Sequence, residues 1–446
     1  MKRIVVGLFF SLLISPVLAQ TTSPVATQSP TPPKLDTGLF GDSKILRPQG
    51  DARGVIFLFS GDQGWGQTEE TTAQVLATAG AFVVEVDLKV YSDELNKTDG
   101  DCLYLISDVE GISYQLQREA GSQNYRSPII AGFGTGGALV LAMSQQTPAA
   151  TVSRALAIDP TTPPTFAKPM CGLDRDLPEV GVETVEARFT EAATKAGRDY
   201  VASLIKRDMD IDLEDSTDDP GKIVVSMLSE ELEVEPPSKD RLDNLPLEEL
   251  PTDKPSDTIA IVYSGDGGWR DLDKTIAENF QKHGMPTVGI DSLRYFWSEK
   301  APATVAKDLQ LIIDTYTSRW KAQKVMLVGY SFGADILPET YNLLPAATRA
   351  KIRQISLLGF AAQGSFEISV AGWLGGDSGD SRPALKQIER IDPKLIQCFY
   401  GKEEDDSACP KLDKTKVELI AIDGGHHFDG DYDALADKIL AGLKTR

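Results

Sequence analysis

Histidine is the scarcest chemistry-bearing residue of this sequence: 446 residues contain three, His283, His426 and His427. With so few imidazoles and no Cys-x-x-Cys pair, the ligand spacing of a zinc site is missing, and no metal is expected. Any imidazole base for a nucleophile must come from those three. Cysteine is nearly as rare, with Cys102, Cys171, Cys398 and Cys409 divided two to each half. That distribution suits an oxidising compartment in which disulfides persist. It predicts a Cys398–Cys409 bond within one loop and a Cys102–Cys171 bond. Positive charge is also in deficit, 45 Lys and Arg against 66 Asp and Glu, for a net charge of −21. No direct binding to nucleic acid is expected, because phosphates demand Lys and Arg. Docking on an anionic bilayer by bulk charge is disfavoured for the same reason. Beyond the N-terminus no apolar run approaches the roughly 20 residues that span a bilayer.

What is present divides the chain into segments. Lys2 and Arg3 precede an apolar run from Ile4 to Ile14, and Val17-Leu18-Ala19 offers small residues before Gln20. This predicts a signal peptide over 1–19, cleaved on export to the periplasm. Residues 20–40, rich in Thr, Ser and Pro, read as a disordered tether. A chain of this length exceeds one ordinary core, so two domains are expected. The boundary falls at 229–256, where Glu231, Glu233, Glu235, Glu248 and Glu249 are interleaved with Pro236, Pro237, Pro246, Pro251 and Pro255. The expected domains are therefore 41–228 and 257–446.

The two halves repeat each other. Phe59-Ser60-Gly61-Asp62-Gln63-Gly64-Trp65 matches Tyr263-Ser264-Gly265-Asp266-Gly267-Gly268-Trp269, and Ala131-Gly132-Phe133-Gly134-Thr135-Gly136-Gly137 matches Val328-Gly329-Tyr330-Ser331-Phe332-Gly333-Ala334. In the second half, β-rich runs alternate with helical patterns, which predicts a mostly parallel sheet flanked by helices. The fold class is thus α/β, with tandem α/β-hydrolase-like domains and a degenerate N-terminal copy.

Gly329-Tyr330-Ser331-Phe332-Gly333 lies between the apolar run Val325–Val328 and a helix, the context of a nucleophile elbow. Ser331 is the expected nucleophile. His283, before Gly284, reads as a helix C-cap. His426 and His427 follow the last expected strand, where this fold carries its base, and either could serve. Between serine and histidine, Gly401-Lys402-Glu403-Glu404-Asp405-Asp406 supplies the acid, with Glu404, three residues after the Gly, as first candidate and Asp406 as second. The oxyanion hole is expected from the amide of Phe332 and the glycine loop at Asp266 and Gly267. That loop lacks the Lys of a phosphate cradle, so no cofactor is expected. In the first copy Gly134 replaces the serine and no histidine precedes His283, so no triad can form there.

Taken together, Ser-Gly-Asp-Gly-Gly-Trp, Gly-Tyr-Ser-Phe-Gly-Ala-Asp and Gly424-Gly425-His426-His427-Phe428-Asp429-Gly430-Asp431-Tyr432 resemble the bacterial AcvB/VirJ virulence-protein family, in its longer AcvB-like form. The resemblance implies a periplasmic serine esterase that removes the aminoacyl group of lysyl-phosphatidylglycerol at the outer face of the inner membrane. It also implies that Asp335 and Asp266 could meet the lysyl ammonium. Two other functions fit the same residues: a non-catalytic periplasmic binding or assembly factor, and a serine acyltransferase with an acceptor other than water.

Overall fold

A computed structural model describes residues 38–40, 43–173, 181–233, 238, 241–369 and 381–444. The expected signal peptide and most of the tether lie outside the described residues. The tether's expected end does not behave as a tether: Gly38–Phe40 is a short 3-10 turn whose Phe40 is buried and stacks on Tyr91 at 4.6 Å.

Strands β1 (Ile45–Leu46), β2 (Gly54–Phe59), β3 (Ala81–Val86), β4 (Ile129–Phe133), β5 (Arg154–Ile158), β6 (Thr184–Phe189) and β7 (Asp212–Asp215) form one sheet in the order β1-β3-β2-β4-β5-β6-β7. Strands β8 (Leu247–Leu250), β9 (Thr258–Tyr263), β10 (Thr287–Ile290), β11 (Lys324–Tyr330), β12 (Ile352–Leu358), β13 (Ile396–Gly401) and β14 (Glu418–Ile422) form a second, in the order β8-β10-β9-β11-β12-β13-β14. The orders are identical strand for strand, and in each sheet the first edge strand alone runs antiparallel. The duplication seen in two short motifs therefore extends over the whole topology.

Alternate residues of each parallel strand face opposite sides, so both faces need helices. In the second sheet Ile259, Ile261 and Leu327 pack with helices Pro302–Arg319 and Phe332–Leu343, whereas Ala260, Val262 and Met326 pack with Asp271–Lys282 and Tyr432–Leu443. The first sheet repeats the plan: Phe57 and Phe59 meet helices Ile106–Glu119 and Gly134–Ser144, and Ile56 and Leu58 meet Gln67–Ala79 and Pro220–Glu231. Each half is a tandem α/β-hydrolase-like unit. Among the described residues no helix is long and apolar enough to cross a membrane.

The expected linker is partly structured. Helix Pro220–Glu231 runs into it, and Leu247–Leu250 pairs with β10 as the edge strand β8. Glutamates are poor strand formers, but here leucines flank them: Leu247 and Leu250 are half-buried, while Glu249 reaches Tyr316 at 2.5 Å and Arg319 at 2.8 Å.

The halves also share packing. Trp297 is fully buried, with Tyr125 at 5.0 Å, the Arg118 guanidinium 3.8 Å above its ring, and its indole N–H donating to the Ser122 carbonyl at 3.0 Å. Burial of a side chain this large stabilises by on the order of 3 kcal/mol.

Both cysteine pairs are bonded, Cys102–Cys171 and Cys398–Cys409. The expectation that Cys398 and Cys409 share a loop is corrected. Cys398 lies within β13, facing the core, and Cys409 opens a 3-10 turn beyond the acid loop. The bond therefore closes the loop carrying Glu404 onto the sheet. Closing a loop of this size constrains the unfolded chain, so reducing the bond or replacing both cysteines with serine should cost about 3 kcal/mol. Urea unfolding with and without reductant, beside a thiol count of the non-reduced protein, measures it.

Candidate active site

The strand-to-helix turn after β11 puts Ser331 at φ 49°, ψ −117°. A non-glycine residue in such a conformation costs about 1–3 kcal/mol, a strain that nucleophile elbows carry. The flanking glycines are required by contact. A Cβ on Gly329 would lie 2.5 Å from the Gly333 carbonyl oxygen, and one on Gly333 would lie 2.5 Å from that of Tyr263. The Ser331 amide donates to Leu358 O at 2.8 Å, which fixes the turn against β12.

His426 arrives from the loop after β14. Gly424 at φ 85° and Phe428 at φ 57° bend that loop, and Gly425 bridges Phe428. The bend directs the His426 ring to the serine: Nε2 lies 2.9 Å from Ser331 Oγ, and Nδ1 lies 2.5 Å from Glu404 Oε1. Glu404 is buried at 3% exposure and its other oxygen accepts from the Gly401 amide at 3.2 Å, so its carboxylate is held from both sides. This order, hydroxyl to imidazole to buried carboxylate, can deprotonate Ser331 and stabilise the imidazolium that forms.

The other candidates lie elsewhere. His427 turns away, its Nδ1 2.9 Å from the Tyr330 hydroxyl. Asp406 is exposed, although it lines a cavity of about 290 Å³ beside Ser331, together with Asp335 and Glu404. Asp335 accepts the Ala361 amide at 2.7 Å. Burial pushes its carboxyl well up, with the charges of Asp266, Glu404 and Asp406 adding and the Ala361 amide opposing. His283 caps the helix Asp271–Lys282, its Nδ1 2.9 Å from the Asn279 carbonyl.

On the other side of the serine a cleft of about 350 Å³ is lined by Asp266, Gly267, Tyr330, Ser331 and His426. Phe332 is the first residue of its helix, so its amide has no intrahelical acceptor and is available to an oxyanion. The glycine loop is close to it: a Cβ on Gly265 would stand 3.7 Å from that of Ser331.

Two further residues contribute: Gly359, which lies in no motif, and Tyr330, whose ring has no expected role within the elbow motif. Gly359, at φ 62° after β12, leaves the space the imidazole fills, since a Cβ there would lie 2.9 Å from His426 Cε1. Tyr330 holds His427 and lies 5.4 Å, ring to ring, from His426. A glycine at the C-terminal end of an apolar strand was the available signal for the first. In the N-terminal copy Gly134 keeps the elbow, at φ 51°, but Asp159 occupies the position of Gly359. That copy has lost the serine, the histidine and the space for one.

Residues 257–446 match the family described as bacterial virulence protein (VirJ). The match spans β9 to β14 of the C-terminal sheet and its helices. No curated protein matches the chain. Among solved structures, the chain is similar to a thioesterase domain from the curacin biosynthetic pathway, at 16% identity over 42% of this chain and 92% of that one, TM-score 0.29. It is similar to the poly(3-hydroxybutyrate) depolymerase LpqC of Bordetella parapertussis, at 14% identity over 47% of this chain and 87% of that one, TM-score 0.30. A lidless α/β serine hydrolase of Xanthomonas campestris shares 13% identity over 45% and 87%, TM-score 0.30.

Proposed function

We propose that the protein is a periplasmic serine ester hydrolase of the virulence-associated VirJ type, cleaving the aminoacyl ester of lysyl-phosphatidylglycerol at the outer face of the inner membrane. The observation that carries the hydrolase reading is the hydrogen-bond chain from Ser331 through His426 to Glu404, at 2.9 and 2.5 Å. Ser331 attacks the ester carbonyl as His426 takes its proton. The alcohol leaves with that proton, and water releases the amino acid by the reverse steps. Two disulfides favour an oxidising compartment.

The lysyl preference rests on the family resemblance and on the acidic cavity beside the serine. A lysyl ammonium arriving next to Asp335 would favour ionisation of its raised carboxyl, whose proton leaves to solvent, and be held as an ion pair. A charge-assisted contact of this kind is worth about 1.5–3 kcal/mol, so Asp335→Asn should raise KM for the lysyl lipid by roughly 10- to 100-fold and leave a neutral ester nearly unaffected. Because the carboxyl must ionise, the wild-type KM for the lysyl substrate should fall as pH rises. The assay is the full-length protein on vesicles carrying the aminoacyl lipid, scored for free lysine, with Ser331→Ala as control. If simple esters are cleaved in a Ser331-dependent way while the lipid is untouched, the lysyl assignment falls and the hydrolase reading stands.

A further inference from the structure

The glycine loop Gly265–Gly268 has two anchors inside its own half. The Asp291 carboxylate lies against Gly268, 3.2 Å from where a Cβ there would stand, and the Gly268 amide donates to the Gly265 carbonyl at 3.2 Å. The first copy keeps the former device, with Asp87 3.2 Å from the Cβ position of Gly64 and accepting the Trp65 amide at 3.3 Å. The copies diverge at the next residue, which is Gly66 in the first and Arg270 in the second.

Arg270 folds back over the loop. A Cβ on Gly267 would lie 2.9 Å from its Nη2, so a larger residue there would make the guanidinium shift; the first copy, with Gly66, carries Gln63 there. The guanidinium then crosses to the N-terminal half, with Nη1 2.7 Å from Glu110 Oε1 and 3.3 Å from Thr151 Oγ1. Glu110 is 12% exposed and also accepts the Tyr114 hydroxyl at 3.2 Å. Glu110 and Tyr114, both on helix Ile106–Glu119, line the same cleft as Ser331. Asp271, directly after the arginine, sits at φ 38°, a strained turn that depends on its surroundings for support.

We infer that the degenerate N-terminal half is a working part of the C-terminal site: Glu110 and Thr151 clamp Arg270 and thereby hold the glycine loop in place against Ser331. Glu110 is a positioning residue acting through Arg270. The inference rests on the hydrolase reading, because the loop matters as a source of oxyanion donors. Such donors act when they are fixed before the charge develops, so loosening them costs turnover more than binding. A half that lost its own chemistry is retained, on this view, because it completes its sibling's.

The test uses the full chain, with kcat and KM on a neutral acyl ester, hydrogen exchange of the amides of residues 265–270, and Tm. Glu110→Gln should lower kcat about 10- to 100-fold, with KM changed less than about twofold and loop exchange faster. The Glu110→Gln/Arg270→Gln pair should be no worse than the worse single variant. Thr151→Val, which removes one hydrogen bond without stranding a charge, should move kcat and exchange a few-fold in the same direction. Arg118→Gln, which weakens the interface at Trp297, should lower Tm without changing kcat. Wild-type kcat and wild-type loop exchange in folded Glu110→Gln would overturn the clamp. If Glu110→Gln does not fold, unchanged exchange and kcat in Thr151→Val overturns it. Were the wild type to turn over no ester, the hydrolase reading would fall, and loop exchange in the same variants would still decide the clamp.

Discussion

Replacing Ser331 with alanine is expected to cut ester turnover by on the order of 10⁴-fold or more while leaving the fold intact. The chemistry is lost because no other hydroxyl stands on the elbow 2.9 Å from His426 Nε2. Stability should hardly change, since alanine keeps the same strained backbone. Ser331→Gly separates strain from chemistry. It should be equally inactive, yet more stable by about 1 kcal/mol, because glycine accepts the positive φ without penalty. The mirror experiment, Gly134→Ser, should gain no activity. Its elbow is present at φ 51°, but no histidine precedes His283 and Asp159 blocks the space that Gly359 opens in the second copy. Turnover of a chromogenic ester, thermal unfolding and fluorophosphonate labelling of each variant check all three. Retained turnover in folded Ser331→Ala would end the nucleophile assignment.

The contrast between the copies also shows which features a sequence displays. The duplication was legible because its strongest motif, the Ser-Gly-Asp loop ending in Trp, is set by contacts inside each half: Asp87 and Asp291 pack against the equivalent glycines Gly64 and Gly268, each 3.2 Å from the Cβ position. The elbow was legible for the same reason, as its glycines touch backbone within a few residues or one strand away. Choosing between His426 and His427 was not. The rings are adjacent in sequence, and the turn set by Gly424 and Phe428 decides which one faces the serine. Spacing from Gly401 put Glu404 ahead of Asp406, but it could not show the burial of the Glu404 side chain or its contact with His426, which the last loop brings to it. The acidic, proline-rich stretch around Leu247–Leu250 read as linker because its strand is four residues long and half glutamate. The Arg270–Glu110 pair joins residues 160 apart, with no local pattern at either end.

The second large effect falls on the acid and base. His426→Ala should match the loss in Ser331→Ala, whereas His427→Gln should cost far less, since His427 reaches Tyr330 rather than the serine. Glu404→Gln should lower kcat by about 10³- to 10⁴-fold with KM little changed. The amide is nearly the same size, but it no longer stabilises the imidazolium, and presenting its N–H₂ to Nδ1 would favour the wrong tautomer. Asp406→Asn, tested on the same neutral ester, should stay within a few-fold of wild type, because that carboxylate is exposed while Glu404 Oε1 already holds His426 Nδ1 at 2.5 Å. Glu404→Asp adds a finer reading. It keeps the charge but shortens the reach by about one bond, so it should recover part of the rate lost in Glu404→Gln. The kcat of the five carboxylate and histidine variants, each with its Tm, decides the matter. A full loss in Asp406→Asn beside near-normal turnover in Glu404→Gln would move the acid to the exposed residue and imply that the loop closed by Cys398 and Cys409 rearranges when substrate binds.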